Sequence, residues 1–301
     1  MQAQSAREAY IGLWSRLEGF ERDALTRSLE RRRVVRASLF RITLHYVAAT
    51  NHPAFAALTH RRWREDFLRQ GFPVDDMVAR IERVAEGGTF TYADASALVP
   101  ELESRPFRAR CLVPLVHVPP AGTWAEARVR LTTADRWLGA AMPSHSKAAA
   151  LLVKSYLGAF GPATSQDLVK FSGLRAADVR PGLDALDAQL LRFRDEQGRE
   201  LLDLRRAARP DAKTHAPVRF LPKWDALLLS HADRTRILPP EYHGEVIKAG
   251  YVFSTFLVDG VVAGLWKTER RRVKLEPFAP LPRSIRREAE DEARRLRAFL
   301  A

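Results

Sequence analysis

Leu190-Leu191-Arg192-Phe193-Arg194-Asp195-Glu196-Gln197-Gly198-Arg199-Glu200-Leu201-Leu202-Asp203-Leu204 is the stretch that decides the fold. Two short β-prone runs, 190–193 and 201–204, flank Asp195-Glu196-Gln197-Gly198, a cluster of turn residues, and so read as a hairpin. Helical signals stand just before it. Residues 148–160 read as a helix closed by Gly161-Pro162. Thr164 caps a short helix that runs to about Phe171, and Gly173 turns the chain. Val179, Leu183 and Leu186 then give residues 176–186 an inward face at helical spacing. Helix, turn, helix and a two-stranded wing is the order of a winged helix.

The same order occurs twice upstream. Ser5 and Glu8 have capping-box spacing, and Tyr10, Leu13, Trp14 and Leu17 recur as a helical face. Leu25 and Leu29 mark a second helix, and β-prone residues follow at 34–35, 39 and 43–47. Asn51 and Pro53 then suit the N-cap and N1 positions of a long helix that stops at Gly71. A helix over 74–86 turns Met77, Ile81 and Val84 inward, and Thr91 with Asp94 opens another. A helix over 105–112 carries Arg105, Arg108 and Arg110, followed by strands at 116–118 and 127–131 around Pro119-Pro120-Ala121-Gly122. Those arginines stand where a recognition helix carries its DNA contacts; on an exposed helix they equally suit solvation. Residues 133–145 link the second unit to the third. Repeated modules extend a surface.

Residues 205–216 are polar, with Pro210 and Pro217, as in a linker. Beyond them the period shifts from 3.6 toward 2. Phe253, Phe256 and Val258 lead to Asp259-Gly260 and then to 261–266, a strong hairpin signal. Ile285, Ala289, Ala293, Leu296 and Leu300 mark a last helix. The expectation is a mainly α chain with small β wings, of the α+β class. Its parts are a first winged helix at 1–50, a second at 51–140, a third at 141–207 and a C-terminal β unit with a terminal helix at 208–301, arranged around a basic cleft.

The 301 residues contain one cysteine, Cys111, which excludes disulfides and a thiolate metal site within the chain. No run approaches the ~18 apolar residues of a membrane helix, and no signal-peptide pattern opens the sequence. A cytoplasmic, nucleoid-associated monomer is expected. Eight of the 49 basic residues are lysine and 41 are arginine, and the net charge is +13. That excess suits duplex DNA, because phosphate contacts release counterions. No broad amphipathic basic helix points to a membrane surface.

Five segments carry a family resemblance: Gln2-Ala3-Gln4; Gly12-Leu13-Trp14-Ser15-Arg16-Leu17-Glu18-Gly19-Phe20; Arg41-Ile42-Thr43-Leu44-His45; Arg219-Phe220-Leu221-Pro222-Lys223-Trp224-Asp225; and His231-Ala232-Asp233-Arg234. In this order, across nearly the whole chain, they resemble the bacterial tandem winged-helix family that includes the AlkZ-type DNA glycosylases, which remove alkylated and crosslinked bases. The resemblance implies that Gln2 and Gln4 are the catalytic pair. It also implies a further helix ahead of the pair, where this sequence has Met1, so the first winged helix is expected to be N-terminally short. The other class of function on the same modules is a non-catalytic DNA-binding regulator, which has no evident need for the glutamine pair.

Two amides can serve this chemistry. An N7-alkylated purine is already cationic and leaves without a strong acid, so what remains is to place a water. Amide oxygens two residues apart on an extended segment face the same way and can hold one. Ordinary glycosidases use carboxylates instead. Around the pair, Arg41 and Thr43 are candidate lining residues, Arg41 reading as a phosphate contact or a pocket residue. His45 reads as a packed strand histidine or as a catalytic group. Asp225, His231, Asp233 and Arg234 read as an ion-pair network fixing the β unit or as lining residues. Arg270, Arg271 and Arg272 read as a minor-groove probe or as charge protecting an edge strand. No metal ligand set has the required spacing, and no cofactor is expected.

Overall fold

A computed structural model describes the whole chain except Ala212 and Arg271. Helices dominate and small antiparallel sheets stand between them, which is the expected α+β class. The chain forms two units, Met1–Arg7 with Glu21–Ala207 and Glu8–Phe20 with Ala208–Ala301.

In the first unit a four-stranded sheet runs in the order Leu44–Ala48, Val34–Ser38, Leu115–His117, Leu131–Thr133. Ala37 pairs with His45 on one side and Val116 on the other. Strands read separately from residues 34–48 and 116–131 therefore meet in a single sheet. Isolated two-stranded ribbons are marginal in water, and here Val35, Ala37, Val116 and Ala134 bury a common core. The opening residues add to the outer edge: Gln2 bridges His45, the Ala3 N–H donates to the Leu44 carbonyl at 2.7 Å, and the Tyr46 N–H donates to the Met1 carbonyl at 2.9 Å. Strand alternation then separates Ala3, 0% exposed, from Gln2, half-buried, and Gln4, exposed.

Helices His52–Arg69, His145–Phe160, Ser165–Ser172 and Ala176–Leu186 enclose Phe40, Phe55, Leu58, Leu152, Tyr156 and Val179. Two of them touch at Gly182, where a Cβ would lie 2.4 Å from the Ala149 carbonyl atoms, so a glycine is required. The wing pairs Leu190–Arg194 with Glu200–Leu204 as the sequence indicates. A second core forms from Trp63, Met77, Ile81, Leu112 and Leu131. Two local readings change. Residues 133–145 contain a helix, Ala134–Leu138, which the Thr133 hydroxyl caps. Over 105–112 a 3-10 turn, Pro106–Arg108, leads into the single-turn helix Ala109–Leu112. Pro114 disfavours helical backbone at Val113, which is extended, and so ends the helix at Leu112, where the sequence places its end.

In the second unit the sheet order is Arg272–Pro277, Val261–Glu269, Thr255–Val258, Arg219–Leu221. Asp259 and Gly260 both have positive φ, +47° and +79°, as a tight hairpin turn with the twist of its strands demands. The helix Arg283–Leu300 buries Ala289 and Leu296 with Ile11, Phe220, Phe256 and Trp266. Trp266 donates its indole N–H to the Leu221 carbonyl at 2.9 Å, so its polar edge is satisfied in the core.

Candidate active site around the glutamine pair

The chain reverses between the interior strand Val34–Ser38 and the edge strand Leu44–Ala48 through a 3-10 turn, Phe40–Ile42, in which Arg41 and Ile42 are both left-handed, with φ +56° and +58°. Neither is glycine, and each such residue costs roughly 1–2 kcal/mol. Two side chains hold the turn. Thr43 donates its hydroxyl to the Phe40 carbonyl at 2.9 Å, and Arg110 donates Nη2 to the Ile42 carbonyl at 2.9 Å. Strained backbone that its surroundings over-determine is typical of functional sites.

Arg41 lies with its guanidinium carbon 5.3 Å from the Phe171 ring centroid. Gly173 (φ +71°) makes room for it, since a Cβ there would come within 3.1 Å of Arg41 Cγ. From that position Arg41 Nη2 donates to Gln2 Oε1 at 3.1 Å. Gln4 Oε1 accepts from the Leu44 N–H at 3.3 Å. Both partners are donors only, so they decide which end of each amide is oxygen. Each oxygen retains a second lone pair. His45 is buried against Phe40, edge to face at 5.5 Å. Its Nδ1 lies 2.9 Å from the Thr43 carbonyl, which only accepts, so Nδ1 carries the proton. Burial first, and the Arg41 charge among the further causes, push its pKa well below the ordinary histidine value. The ring is therefore neutral, with Nε2 as an acceptor.

Arg36 supports the pair from the adjoining strand. It donates Nε and Nη2 to the Ala3 carbonyl at 3.0 and 2.9 Å, Nη2 also to the Gln4 carbonyl at 3.0 Å, and Nη1 to His117 Nδ1 at 3.3 Å. Among the described residues no carboxylate pairs with this buried guanidinium, and desolvation lowers its pKa. Gly122 leaves space for it, because a Cβ would lie 2.8 Å from Arg36 Cδ. Arg36 went unmarked in the sequence reading. Its signal is a lone charge inside the apolar strand run Val34-Val35-Arg36-Ala37.

Asp225 belongs to the second unit and is engaged there. Arg16 grips it in two-point fashion, Nη1–Oδ2 at 2.9 Å and Nη2–Oδ1 at 2.6 Å, and the Leu227 N–H adds a third bond at 2.9 Å. His231 Nδ1 lies 2.7 Å from the Ser230 hydroxyl. Asp233 accepts from the Thr235 N–H and hydroxyl at 3.0 and 2.7 Å, and burial lowers the pKa of Arg234. Of the candidate DNA contacts, Arg105 is exposed, Arg108 half-buried with its guanidinium 5.9 Å from the Phe67 ring centroid, and Arg110 buried in its bond to Ile42. Arg270 and Arg272 are exposed where Val261–Glu269 turns into Arg272–Pro277. Arg271 lies outside the described residues.

The model of the AlkZ-like DNA glycosylases matches residues 1–299. The chain belongs to that family. It is 29% identical over 160 residues to the interstrand DNA cross-link repair glycosylase of Streptomyces sahachiroi, a match that covers 50% of this chain and 43% of that relative. The matched stretch thus spans less than half of the relative's length. The fold resembles the solved Streptomyces sahachiroi DNA glycosylase AlkZ with a TM-score of 0.82 at 21% identity, covering 99% of this chain and 88% of that one. Among the described residues, no helix is long and apolar enough to cross a membrane.

Proposed function

We propose that this member of the family is a DNA glycosylase that hydrolyses the N-glycosidic bond of alkylated bases, N7-alkylpurines or crosslinked ones, in duplex DNA, with the attacking water held by Gln2 and Gln4. The observation that carries this reading is the pair of amides on one edge segment, each oxygen oriented by a donor-only partner and each with a lone pair to offer. Among the described residues neither glutamine bonds to a carboxylate, and burial holds His45 neutral. Such a site places a nucleophile without supplying a strong acid. That suits a substrate whose base already carries positive charge and departs readily. Positioning alone lowers a barrier by removing the entropy of bringing the reactants together.

The proposed DNA contacts are Arg105 and Arg108, on the tandem winged-helix units, and the Arg270-Arg271-Arg272 run of the C-terminal β unit, in a monomer working on nucleoid DNA in the cytoplasm. Arg110 has the different role of bracing the turn at Ile42. Binding with little sequence preference should weaken with salt at a log–log slope of roughly −0.9 per phosphate neutralised.

The test is release of N7-methylguanine from alkylated duplex DNA, followed by chromatography of the free base. It should use the 301-residue chain and also the chain with whatever in-frame residues precede Met1 in its gene. Release by either form supports the reading. Release by neither, from N7-methylguanine or crosslinked duplexes, sinks it and leaves the non-catalytic DNA-binding role.

A further inference from the structure

The two glutamines are oriented by different means. Gln4 is held by a main-chain N–H, that of Leu44. Gln2 is held by a side chain, Arg41, and forms no other side-chain hydrogen bond among the described residues. A primary amide is nearly symmetric in shape, so packing alone distinguishes its oxygen from its nitrogen poorly. A guanidinium has only donors, and a flipped Gln2 would face it with N–H groups. Arg41 in turn is preset by its left-handed backbone, the Phe171 ring and the space left by Gly173.

From this geometry we infer that Arg41 is a positioning residue, which acts through Gln2 and contacts neither phosphate nor base. By occupying one lone pair of Gln2 Oε1 it keeps the amide in the orientation whose other lone pair accepts from the water. The inference rests on the glycosylase reading above.

Single-turnover release of N7-methylguanine, with enzyme in excess over duplex, separates the rate constant from the affinity. Arg41→Met should lower the rate constant by about 10²-fold, the scale of a misplaced reacting group. Its duplex Kd and the salt slope of that Kd should stay at the wild-type values. Arg41→Lys, which can place one donor, should recover part of the rate. Guanidinium added to Arg41→Ala should recover part as well, a rescue that a purely structural role would not allow. The double variant Gln2→Ala/Arg41→Met should be no slower than Gln2→Ala, because Arg41 acts through the group already removed.

Urea midpoints check that each variant is folded. Should Arg41→Met fail to fold, Arg41→Lys and the rescue of Arg41→Ala decide the matter: a full-rate Lys variant or the absence of any rescue overturns the proposal. A full-rate Arg41→Met overturns it too. A weaker Kd with a salt slope shallower by about one phosphate marks Arg41 as a phosphate contact and equally overturns it. Multiplicative losses in the double variant show that Arg41 acts independently of Gln2, against the proposal. A wild-type chain that releases no base brings down the glycosylase reading itself, and this inference with it.

Discussion

Two regions use their inward arginines differently, the Asp225 cluster of the second unit and the glutamine site of the first. In the second unit Arg16 meets the carboxylate of Asp225 in two-point fashion, with the Asp225 side chain 3% exposed and that of Arg16 36%. In the first unit Arg36 is buried and, among the described residues, hydrogen-bonds only to main-chain carbonyls and a histidine ring. Arg41 and Arg110 likewise donate to an amide oxygen and to a carbonyl. A charge pair ties two segments of chain together. A guanidinium spread over several carbonyls fixes their positions without setting a negative charge beside them. The glutamine amides thus meet donors without a neighbouring carboxylate among the described residues, whereas Asp225 is engaged by Arg16 and the Leu227 N–H.

The largest expected difference between the units is acid sensitivity. The first unit buries His52, His60 and His117, whose pKa values burial pushes down to about 4, about 3 and about 3. Folded values below the ordinary 6.5 mean that folding favours the neutral rings. Their stabilisation is fully present above pH 6.5 and is lost as pH falls toward 4 and 3. Between pH 6.5 and 5 each should remove roughly 2 kcal/mol, at 1.36 kcal/mol per pH unit. Among the described residues the second unit buries no histidine. Hydrogen exchange resolved by peptide should therefore show the first unit losing protection at pH 5 while 208–301 holds. Equal losses in both units would remove this contrast.

Arg36→Met comes next. It leaves the Ala3 and Gln4 carbonyls short of donors and should cost about 3 kcal/mol in urea unfolding, from two unsatisfied groups at about 1–3 kcal/mol each. A variant as stable as the parent would mean that Arg36 does not hold the edge segment. Smaller still is Asp225→Asn, expected at about 1–2 kcal/mol because Arg16 is partly solvated. Base release per folded molecule should be unchanged. Loss of release without loss of stability would make Asp225 a site residue after all.

Much of the scaffold was legible because local chemistry specifies it. Thr91 with Asp94 forms the capping box its spacing announces, Thr164 caps the helix that follows it, and Asp259-Gly260 forms its hairpin turn. The glutamine pair and the Arg41–His45 stretch also came from the sequence, through resemblance. What was not legible depends on partners distant along the chain. Nothing near Arg36 announces the carbonyls of residues 3 and 4. Nothing in Phe40-Arg41-Ile42 announces two left-handed residues without a glycine, a conformation fixed by Arg110 and made possible by Gly173. The placement of Glu8–Phe20 with Ala208–Ala301 was equally hidden, since it rests on bonds such as Arg16–Asp225 and Glu8 with the Lys223 N–H at 2.9 Å.

The most direct test of the glutamine pair is Gln4→Ala in single-turnover release of N7-methylguanine, with duplex affinity measured alongside. Gln4 would act on the water in the transition state and touch no phosphate, so the rate constant should fall by ~10²–10³ while Kd stays within about twofold. Gln2→Ala should behave alike, and the double variant should be little worse than either, since both hold one water. A Gln4→Ala protein that releases the base at the wild-type rate would show that the water is held elsewhere.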